Sequence, residues 1–527
     1  MATEPSPQRA YRAACPNCGA PVDFRSAASA FAVCSFCRST IVRDGEALRK
    51  IGESAELFDD HSPLQLGAAG KYQGSGFTLV GRLQYRYKDG TWNEWHALFD
   101  TGRSGWLSED NGRYVFAFDL PLEGEVPAPD ALRAGAPLTV AGQSWSVGSV
   151  TVAKLIAAQG ELPFKPNTER GFVVADLRSA RDEVGTLDYS DAAAPKWSIG
   201  RAVAISELAM SGLADSAEKT LKARSIECPS CGTSLEIKLS TTQSIVCHQC
   251  HAVVDLSQGV GGDLAHYAQD NGSEPQIPLG SIGNLSLGGK PMRPWQVVGY
   301  VERCEQGSDD DGEQSFWREY LLYHREEGFA FLVDAEDGWS WTVPLTGVPT
   351  QAGAEMRYRG DSYRKLYNYT GRVTYVLGEF YWQLKRGELT DNTDYQGTGA
   401  ARNKRLNREV TDGEVVWSGG ETLGADVVLK AFRLAPEKSA ALKRDALPTS
   451  GNAAGLLAKV FFWVFVVVIL LMLFRCSDDD NRDCSNLRAT YGEASQEYQS
   501  CLANNRSGGY RTGGGSFGGY SSGGGHK

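Results

Sequence analysis

Eight of the twelve cysteines fall into two sets of four that share one spacing, Cys-x2-Cys-x15-Cys-x2-Cys. Thiolates from two tight Cys-x2-Cys turns can complete a tetrahedron around Zn2+, and four protein ligands leave no position for water. We therefore expect two structural zinc ions, each held in a zinc ribbon. The predicted ligands are Cys15, Cys18, Cys34 and Cys37 in the first set, and Cys228, Cys231, Cys247 and Cys250 in the second.

Other interpretations of the cysteines explain less of the pattern. A single Cys-x2-Cys is also typical of thioredoxin-like redox sites, but a redox pair does not explain two such pairs at a fixed separation, twice. His248 and His251 flank Cys250 and could replace a thiolate, although the repeated spacing favours the cysteines. Gly19 and Gly232 follow the second cysteine of each set, where glycine permits the positive φ that brings backbone amides toward sulfur.

The repetition extends beyond the cysteines. Short landmarks recur at offsets of 213 to 225 residues, so insertions between the copies are small. We therefore predict a tandem duplication of a unit of about 200 residues. The landmarks pair Leu79-Val80-Gly81 with Val297-Val298-Gly299, Trp92-x-Glu94-Trp95 with Trp317-x-Glu319-Tyr320, Gly105-Trp106 with Gly328-Phe329, Gly160-Glu161 with Gly378-Glu379, and Trp197-Ser198 with Trp417-Ser418.

Each unit is predicted to be mainly β, because stretches such as 77–87 alternate apolar and polar residues between turn signals. The expected fold class is a tandem duplication of a four-cysteine zinc ribbon followed by a β-rich domain of barrel or sandwich type, with one C-terminal transmembrane helix. A further helix is expected within 202–223, where Ala, Leu, Glu and Lys dominate. The predicted boundaries are 10–45 for zinc ribbon 1, 55–224 for β-rich domain 1, 225–256 for zinc ribbon 2, 257–275 for a linker, and 276–436 for β-rich domain 2.

The long apolar run at 455–474 predicts a transmembrane helix. A helix of that length spans about 30 Å, which is enough to cross a bilayer core; a buried core helix is the alternative. Lys459 lies in its first turns, where its stem can reach the headgroups. After it we expect a short extracytoplasmic segment at 475–506, in which Cys484 and Cys501 could form a disulfide, and a disordered Gly-rich tail at 507–527.

Charge and cysteine distribution together predict where the chain resides. Lys and Arg are slightly more frequent before the apolar run than after it, and four-thiolate zinc sites need reduced cysteines, so the N-terminal bulk is expected in the cytoplasm. Residues 1–12 lack the apolar region of an export signal. The net charge of −11 and pI near 5.3 disfavour contact with a phosphate backbone, so no nucleic-acid partner is expected.

Four glutamates recur at matched positions, Glu94 with Glu319 and Glu161 with Glu379. Paired carboxylates can act as general acid and base when their environments separate their pKa values. The sequence has no Walker loop and no His-Glu-x2-His helix, and a glutamate between aromatic residues on a strand is more often structural. We therefore assign no catalytic and no cofactor-binding residue beyond the zinc ligands.

The motifs resemble a known family. Paired Cys-Pro-x-Cys-Gly ribbons, each followed by an aromatic–Glu–aromatic motif and a later Gly-Glu, are similar to bacterial membrane proteins that carry the domain of unknown function 4178. The resemblance covers residues 10 to 435 in two copies and implies the architecture and an envelope-associated context. The copies differ after the Gly-Glu landmark, where Leu162-Pro163-Phe164 stands against Phe380-Tyr381-Trp382; a proline there predicts an edge strand.

The leading interpretation is a zinc-binding scaffold or partner-binding protein. We expect a single transmembrane span to anchor it in the bacterial inner membrane, and we expect it to bind another protein. Its tail would be extracytoplasmic, and neither the partner nor the oligomeric state follows from the residues. The aromatic side chains of the repeated motif would form the contact surface if exposed, and core if buried. The alternative is a hydrolase or transferase that uses Glu94 or Glu319 in a β-domain cleft.

Overall fold

The computed structural model describes residues 11–24, 31–44, 47–53, 62–88, 90–110, 112–214, 224–239, 242–256, 264–269, 274–306, 315–324, 326–384, 387–411 and 413–443. The apolar run at 455–474, the two segments after it, and Cys484 and Cys501 lie outside these ranges, so their predictions stay untested. Within these ranges, no helix is both long and apolar enough to cross a membrane.

Two small sheets build residues 11–53, which we call cysteine unit 1. Its strands are β1 (Tyr11–Ala14), β2 (Pro21–Phe24), β3 (Phe31–Val33), β4 (Ser39–Asp44) and β5 (Ala47–Glu53). β1 and β2 form one hairpin, and β3, β4 and β5 form a three-stranded antiparallel sheet. Each Cys-x2-Cys turn therefore lies at the end of a short strand.

The first copy of the β-rich domain covers residues 62–214. Its strands are β6 (Ala69–Tyr72), β7 (Ser75–Tyr87), β8 (Gly90–Phe99), β9 (Ser104–Asp110), β10 (Arg113–Leu120), β11 (Pro137–Val140), β12 (Gln143–Leu162), β13 (Gly171–Arg178), β14 (Glu183–Asp188) and β15 (Lys196–Val203), with 3-10 helices at Pro129–Ala131 and Ile205–Leu208. Eight strands pair edge to edge in the order β7-β8-β9-β10-β15-β14-β13-β12, and β12 pairs again with β7. The sheet is thus a closed antiparallel barrel, which we call ring 1.

Cysteine unit 2 covers residues 224–269. Its strands are β16 (Arg224–Glu227), β17 (Ser234–Ile237), β18 (Ser244–Val246), β19 (Val253–Asp255) and β20 (His266–Tyr267). β16 and β17 form a hairpin, and β18, β19 and β20 form a sheet, as in unit 1. β20 falls inside the segment predicted as a linker. The Gln269 side chain donates to the carbonyls of His251 and Val376, so this part of the segment packs on its neighbours.

The second copy covers residues 274–443 and repeats the first. Its elements are β21 (Ile282–Leu285), β22 (Arg293–Glu305), β23 (Phe316–His324), β24 (Gly328–Ala335), β25 (Gly338–Pro344), β26 (Thr350–Ala352), β27 (Glu355–Tyr358), β28 (Asp361–Phe380), β29 (Leu389–Gly397), β30 (Lys404–Thr411), β31 (Glu414–Leu423), α1 (Ala425–Ala431) and α2 (Ser439–Leu442), with 3-10 helices at Gly399–Ala401 and Pro436–Lys438. The strands β22-β23-β24-β25-β31-β30-β29-β28 close in the same order, because β28 pairs with β22. We call this barrel ring 2.

The duplicated landmarks mostly occupy matching positions. Gly160 in β12 and Gly378 in β28 both have a positive φ, at the points where these strands pair with β7 and β22. A Cβ added to Gly160 would lie 2.2 Å from Val80 O, and one added to Gly378 would lie 2.2 Å from Val298 O. Only glycine fits this crossing. One predicted match is wrong. Trp106 lies opposite His96, and Phe331 lies opposite Leu321, which is the residue of ring 2 that corresponds to His96. The counterpart of Trp106 is therefore Phe331 and not Phe329.

The helix expected within 202–223 is absent from its described part, 202–214. There β15 continues to Val203, and a 3-10 helix follows at Ile205–Leu208. Composition favours a helix only weakly when no apolar face packs against the rest of the protein. The α-helices instead follow ring 2, where Val428 and Leu442 are buried in its core.

Strand β8 is buried at every position except Thr91, which is half-buried. One of its faces points into ring 1, and the other lies under a cover formed by residues 64–72 and 205–213, with Trp95, Leu107 and Phe116 packed between. The aromatic residues of the repeated motif are therefore core. Trp92, Trp95, Trp317 and Tyr320 are all at most 3% exposed, which excludes them as a contact surface.

Candidate metal centres and a cavity in ring 1

The backbone of each Cys-x2-Cys turn is fixed by paired hydrogen bonds. In unit 1, Gly19 N donates to Cys15 O over 2.9 Å, and Cys15 N donates to Ala20 O over 2.7 Å. The same two bonds recur around Cys228, at 2.8 Å each. Gly19 and Gly232 have φ of 77° and 73°, so the predicted use of glycine at the first turn of each set is confirmed.

The sulfur atoms of each set come together as the spacing predicted. In unit 1, Cys15 Sγ lies 3.6 Å from Cys37 Sγ, and Cys18 Sγ lies 3.7 Å from Cys34 Sγ. In unit 2, the corresponding pairs, Cys228 with Cys250 and Cys231 with Cys247, are both 3.7 Å apart. All four ligand atoms of each set lie within 4.8 Å of one another.

These distances fit a tetrahedral metal site. A Zn–S bond of about 2.3 Å in a regular tetrahedron places sulfur atoms about 3.8 Å apart. His251 is not one of the grouped ligand atoms; its Nδ1 lies 3.4 Å from the Tyr375 hydroxyl. Each cysteine set could therefore hold one metal ion with a complete shell of four sulfurs.

One hydroxyl lies beside one sulfur in each set. Ser39 Oγ is 3.2 Å from Cys37 Sγ, and this contact, together with hydrogen bonds from Asn17 and the Ser39 backbone, lowers the pKa of the Cys37 thiol to about 5. Thr233 Oγ1 is 3.3 Å from Cys231 Sγ, and this contact, together with a hydrogen bond from the Thr233 backbone, lowers the pKa of that thiol to about 6. Such contacts favour the thiolate, which is the form that binds a metal.

Each cysteine unit is joined to the long strand of the ring that follows it. β3 pairs with β12 through Gly160, Glu161 and Leu162, and β18 pairs with β28 through Glu379 and Phe380. The Gly-Glu landmark thus lies at the junction between cysteine unit and ring in both copies.

The carboxylate of Glu379 holds the junction of unit 2. Its oxygens accept hydrogen bonds from Lys238 N at 3.0 Å, Leu239 N at 3.0 Å and Thr242 Oγ1 at 2.7 Å. Burial raises the pKa of Glu379, and the Thr242 and backbone donors oppose the rise. Glu379 therefore holds the segment that joins the two halves of cysteine unit 2. The sequence did not indicate this role.

Glu94 and Glu319 occupy equivalent places inside their rings. Trp92 Nε1 donates to Glu94 Oε1 at 3.2 Å, and Trp317 Nε1 donates to Glu319 Oε1 at 2.9 Å. Both glutamate side chains are buried, at most 5% exposed, so neither reaches the outer surface of its ring. The repeated tryptophan thus positions a carboxylate within each ring.

In ring 1 the carboxylate borders a cavity of about 200 Å³. Seven of the eight ring strands contribute to its wall, so the cavity is the interior of the ring at one end. Its lining consists of Tyr85, Trp92, Glu94, Trp106, Asp119, Pro163, Phe164, Phe172, Val174, Thr186, Asp188 and Lys196. Asp119, Pro163 and Lys196 are exposed and mark the mouth.

Three carboxylates lie in the lining of the cavity. Burial raises the pKa of the Tyr85 phenol well above its ordinary value, and the carboxylates of Glu94, Asp188 and Asp119 add to the rise. Asp119 also accepts a hydrogen bond from Trp106 Nε1 at 3.2 Å. Sequence reasoning found Glu94 through its repeated motif but missed Asp119 and Asp188, which come from distant strands.

Ring 2 carries a positive charge at the matching place. By register, Arg303 takes the position of Tyr85, since both stand opposite the first tryptophan of the motif. Arg303 Nε lies 3.2 Å from Glu319 Oε2, and Glu409 takes the position of Asp188. The sequence offered no signal for this pair, because Arg303 lies outside every matched landmark.

Comparison with protein families gives one result. A family model described as "Domain of unknown function (DUF4178)" matches residues 65–204 and 287–425. Each match covers one complete ring and stops short of the cysteine unit before it. Searches of curated proteins and of solved structures give no match.

Proposed function

This chain belongs to the DUF4178 family, whose domain it carries twice, and on that premise we propose that it is a zinc-braced scaffold that binds a protein partner at a membrane. The observation that carries the proposal is the closed shell of four sulfurs in each cysteine unit, fastened to a ring. Soft thiolates in a tetrahedron favour Zn2+, and a complete shell favours a structural role over a catalytic one.

The two zinc ions would stabilise the units and their junctions with the rings. A unit of about 40 residues buries too small a core to be stable without a metal or other cross-link. In unit 2, the Glu379 contacts link the metal-bearing hairpins directly to β28, so loss of the ion would loosen that junction.

A partner contact is supported at the tip of unit 1. Phe36 lies between Cys34 and Cys37 and is 73% exposed, whereas the equivalent residue of unit 2 is Gln249. A large exposed aromatic side chain on a rigid metal-bound turn can serve as an interface anchor with little loss of conformational entropy. The apolar run at 455–474 supports the membrane anchor, with the described part of the chain on the cytoplasmic side of a bacterial inner membrane.

The test is capture of partners from native membranes with full-length chains. Phe36→Ser is expected to lose a defined partner and keep two zinc ions per chain, while the matched Gln249→Ser keeps both. Cys34→Ser and Cys247→Ser are expected to retain about one zinc ion each by elemental analysis, because one ligand of four is lost. Fewer than two zinc ions in the intact chain, or equal capture by Phe36→Ser and Gln249→Ser, would contradict the proposal.

The second candidate, a hydrolase or transferase, is favoured only in ring 1, where Glu94 lines a cavity together with Asp119 and Asp188. Glu319 is less suited, because it is paired with Arg303. The discriminating measurement is turnover of chromogenic esters, phosphoesters and glycosides by the intact chain and by Glu94→Gln. Turnover that Glu94→Gln abolishes would favour the enzyme over the scaffold.

A further inference from the structure

The cavity of ring 1 combines two kinds of wall. Aromatic rings surround it, with Tyr85 and Trp92 stacked 5.0 Å apart and Phe172 edge-on to Tyr85 at 5.9 Å. Carboxylates of Glu94, Asp119 and Asp188 lie among them. Aromatic faces and carboxylates both attract cations, and they do so best where water is excluded.

The cavity contains few positive charges of its own. Of the described residues that line it, Lys196 alone is cationic, against three carboxylates. Lys196 is exposed at the mouth, with its Nζ 4.9 Å from the centre of the Phe164 ring. The lining therefore carries a net negative charge, with Lys196 opposite Asp188 across β14 and β15.

Ring 2 supplies an internal precedent for what such a site binds. There the glutamate of the motif, which accepts a hydrogen bond from Trp317 Nε1, pairs with the guanidinium of Arg303, which the chain itself provides. Its partners have counterparts in ring 1: Glu319 corresponds to Glu94, Trp317 to Trp92 and Glu409 to Asp188. Two residues are replaced: Arg303 by Tyr85, and Thr390, whose Oγ1 lies 3.5 Å from Arg303 Nη1, by Phe172. A cavity lies beside both replacements.

We propose that ring 1 binds a small organic cation, bearing a guanidinium or an ammonium group, in this cavity. The cation would stand where the Arg303 guanidinium stands in ring 2, between the Glu94 carboxylate and the aromatic wall. A volume of about 200 Å³ admits a ligand somewhat larger than benzene, which fits a cavity of about 150 Å³.

A metal ion fits the site less well. Among the described residues, the two cysteine quartets are the groups of three or more metal-ligating side chains whose ligand atoms lie within 4.8 Å of one another, and the carboxylates of the cavity form no such group. Separated carboxylates with aromatic rings between them suit an organic cation, whose N–H groups and charge are spread over several atoms.

Two buried serines neighbour residues that line the cavity, although neither serine lines it. Ser108 lies opposite Glu94 across β8 and β9, and Ser198 lies opposite Asp119 across β10 and β15. Both side chains are at most 4% exposed, and neither Oγ has a hydrogen-bond partner among the described residues.

The test begins with the intact, metal-loaded chain and isothermal titration calorimetry. Methylguanidinium, tetramethylammonium and the neutral N-methylurea are the probes, the last being close in shape to methylguanidinium but uncharged. At least one cation is expected to bind at one site per chain with a Kd of about 1 mM or tighter, and N-methylurea at least about 10-fold more weakly. Saturation by methylguanidinium alone would assign a guanidinium ligand, and saturation by tetramethylammonium alone an ammonium ligand.

Variants separate this cavity from other acidic surfaces. Asp188→Asn changes a half-buried side chain and is expected to weaken cation binding about 10-fold, while the exposed Glu125→Gln leaves it unchanged. Tyr85→Arg copies ring 2 into ring 1 and is expected to abolish binding without lowering the melting temperature, because the new guanidinium occupies the site.

The proposal is overturned by any of three results. These are no saturable binding of either cation up to about 10 mM, equal affinity for methylguanidinium and N-methylurea, and unchanged cation binding in both Asp188→Asn and Tyr85→Arg. A Tyr85→Arg chain that fails to fold leaves the decision to Asp188→Asn and to the neutral probe.

Discussion

Arg303 Nε lies 3.2 Å from Glu319 Oε2 inside ring 2, and both side chains are at most 3% exposed. The second carboxylate oxygen accepts a hydrogen bond from Trp317 Nε1 at 2.9 Å. Burial raises the pKa of Glu319, and the charge of Arg303 opposes that rise. The repeated aromatic–Glu motif thus places a carboxylate within each ring, and in ring 2 the chain places Arg303 beside it.

Arg303→Met is expected to lower the free energy of unfolding by about 3–5 kcal/mol, because it leaves the Glu319 carboxylate buried without its counterion. The double variant Arg303→Met/Glu319→Gln should recover most of that loss. Urea unfolding followed by circular dichroism measures both. Lys430→Met, which removes an exposed pair with Asp426, is the control and should cost less than about 1 kcal/mol. A loss in Arg303→Met as small as in the control would show that the buried pair contributes little.

Glu409 should make stability depend on pH. Burial raises the pKa of Glu409 to about 8; Arg303 opposes the rise, and Glu319 and Glu388 add to it. Its unfolded pKa is about 4.3. The folded state therefore favours the protonated carboxyl, so the stabilisation is complete below about pH 4 and is lost as pH rises through 8.

Glu409→Gln should accordingly flatten the fall in stability between pH 5 and about pH 8.5, measured by urea unfolding at each pH. The slope should not vanish, because burial also raises the pKa of Asp110 and Asp176 to about 7. The exposed Glu437→Gln serves as the control and should keep the wild-type profile. Identical profiles for Glu409→Gln and wild type would refute the assignment.

Glu379→Ala should loosen cysteine unit 2. It removes the acceptor for Lys238 N, Leu239 N and Thr242 Oγ1, and the cost should reach at least about 2 kcal/mol, because hydrogen bonds to a charged group are strong. Hydrogen exchange should show faster exchange at Lys238 and Leu239. The exposed Glu236→Ala, in the neighbouring β17, should leave exchange there unchanged. Unaltered protection in Glu379→Ala would mean that the strand pairing alone holds the unit.

Gly378→Ala tests the crossing of β28 and β22. The new Cβ would meet Val298 O at 2.2 Å at a φ of 92°, so backbone strain and steric overlap act together, and we expect a loss of at least about 3 kcal/mol. Gly142→Ala is the matched control, with a φ of 74° and no atom within 4 Å of the added Cβ. It should cost only the strain, about 1 kcal/mol. Equal losses in the two variants, by thermal unfolding, would exclude a steric role for Gly378.

Part of the candidate site was predictable and part was not. The cysteine quartets were found because each pair of ligands is separated by two residues, so a local motif carries most of the geometry. Glu94 was found because its motif is local and repeated. Asp119 and Asp188 join it from β10 and β14, and no local pattern links carboxylates so far apart in sequence.

The sequence by itself determined the duplication, the mainly β class and the identity of the eight grouped cysteines, because these depend on short-range spacing and period-two alternation. Only the tertiary structure decided which face of each strand points inward. That choice follows from ring closure between β7 and β12 and from bulges such as the one between Leu79 and Gly81, which reverse the alternation. For the same reason, only the folded chain revealed that Arg303 meets Glu319 in ring 2 while Tyr85 borders a cavity in ring 1.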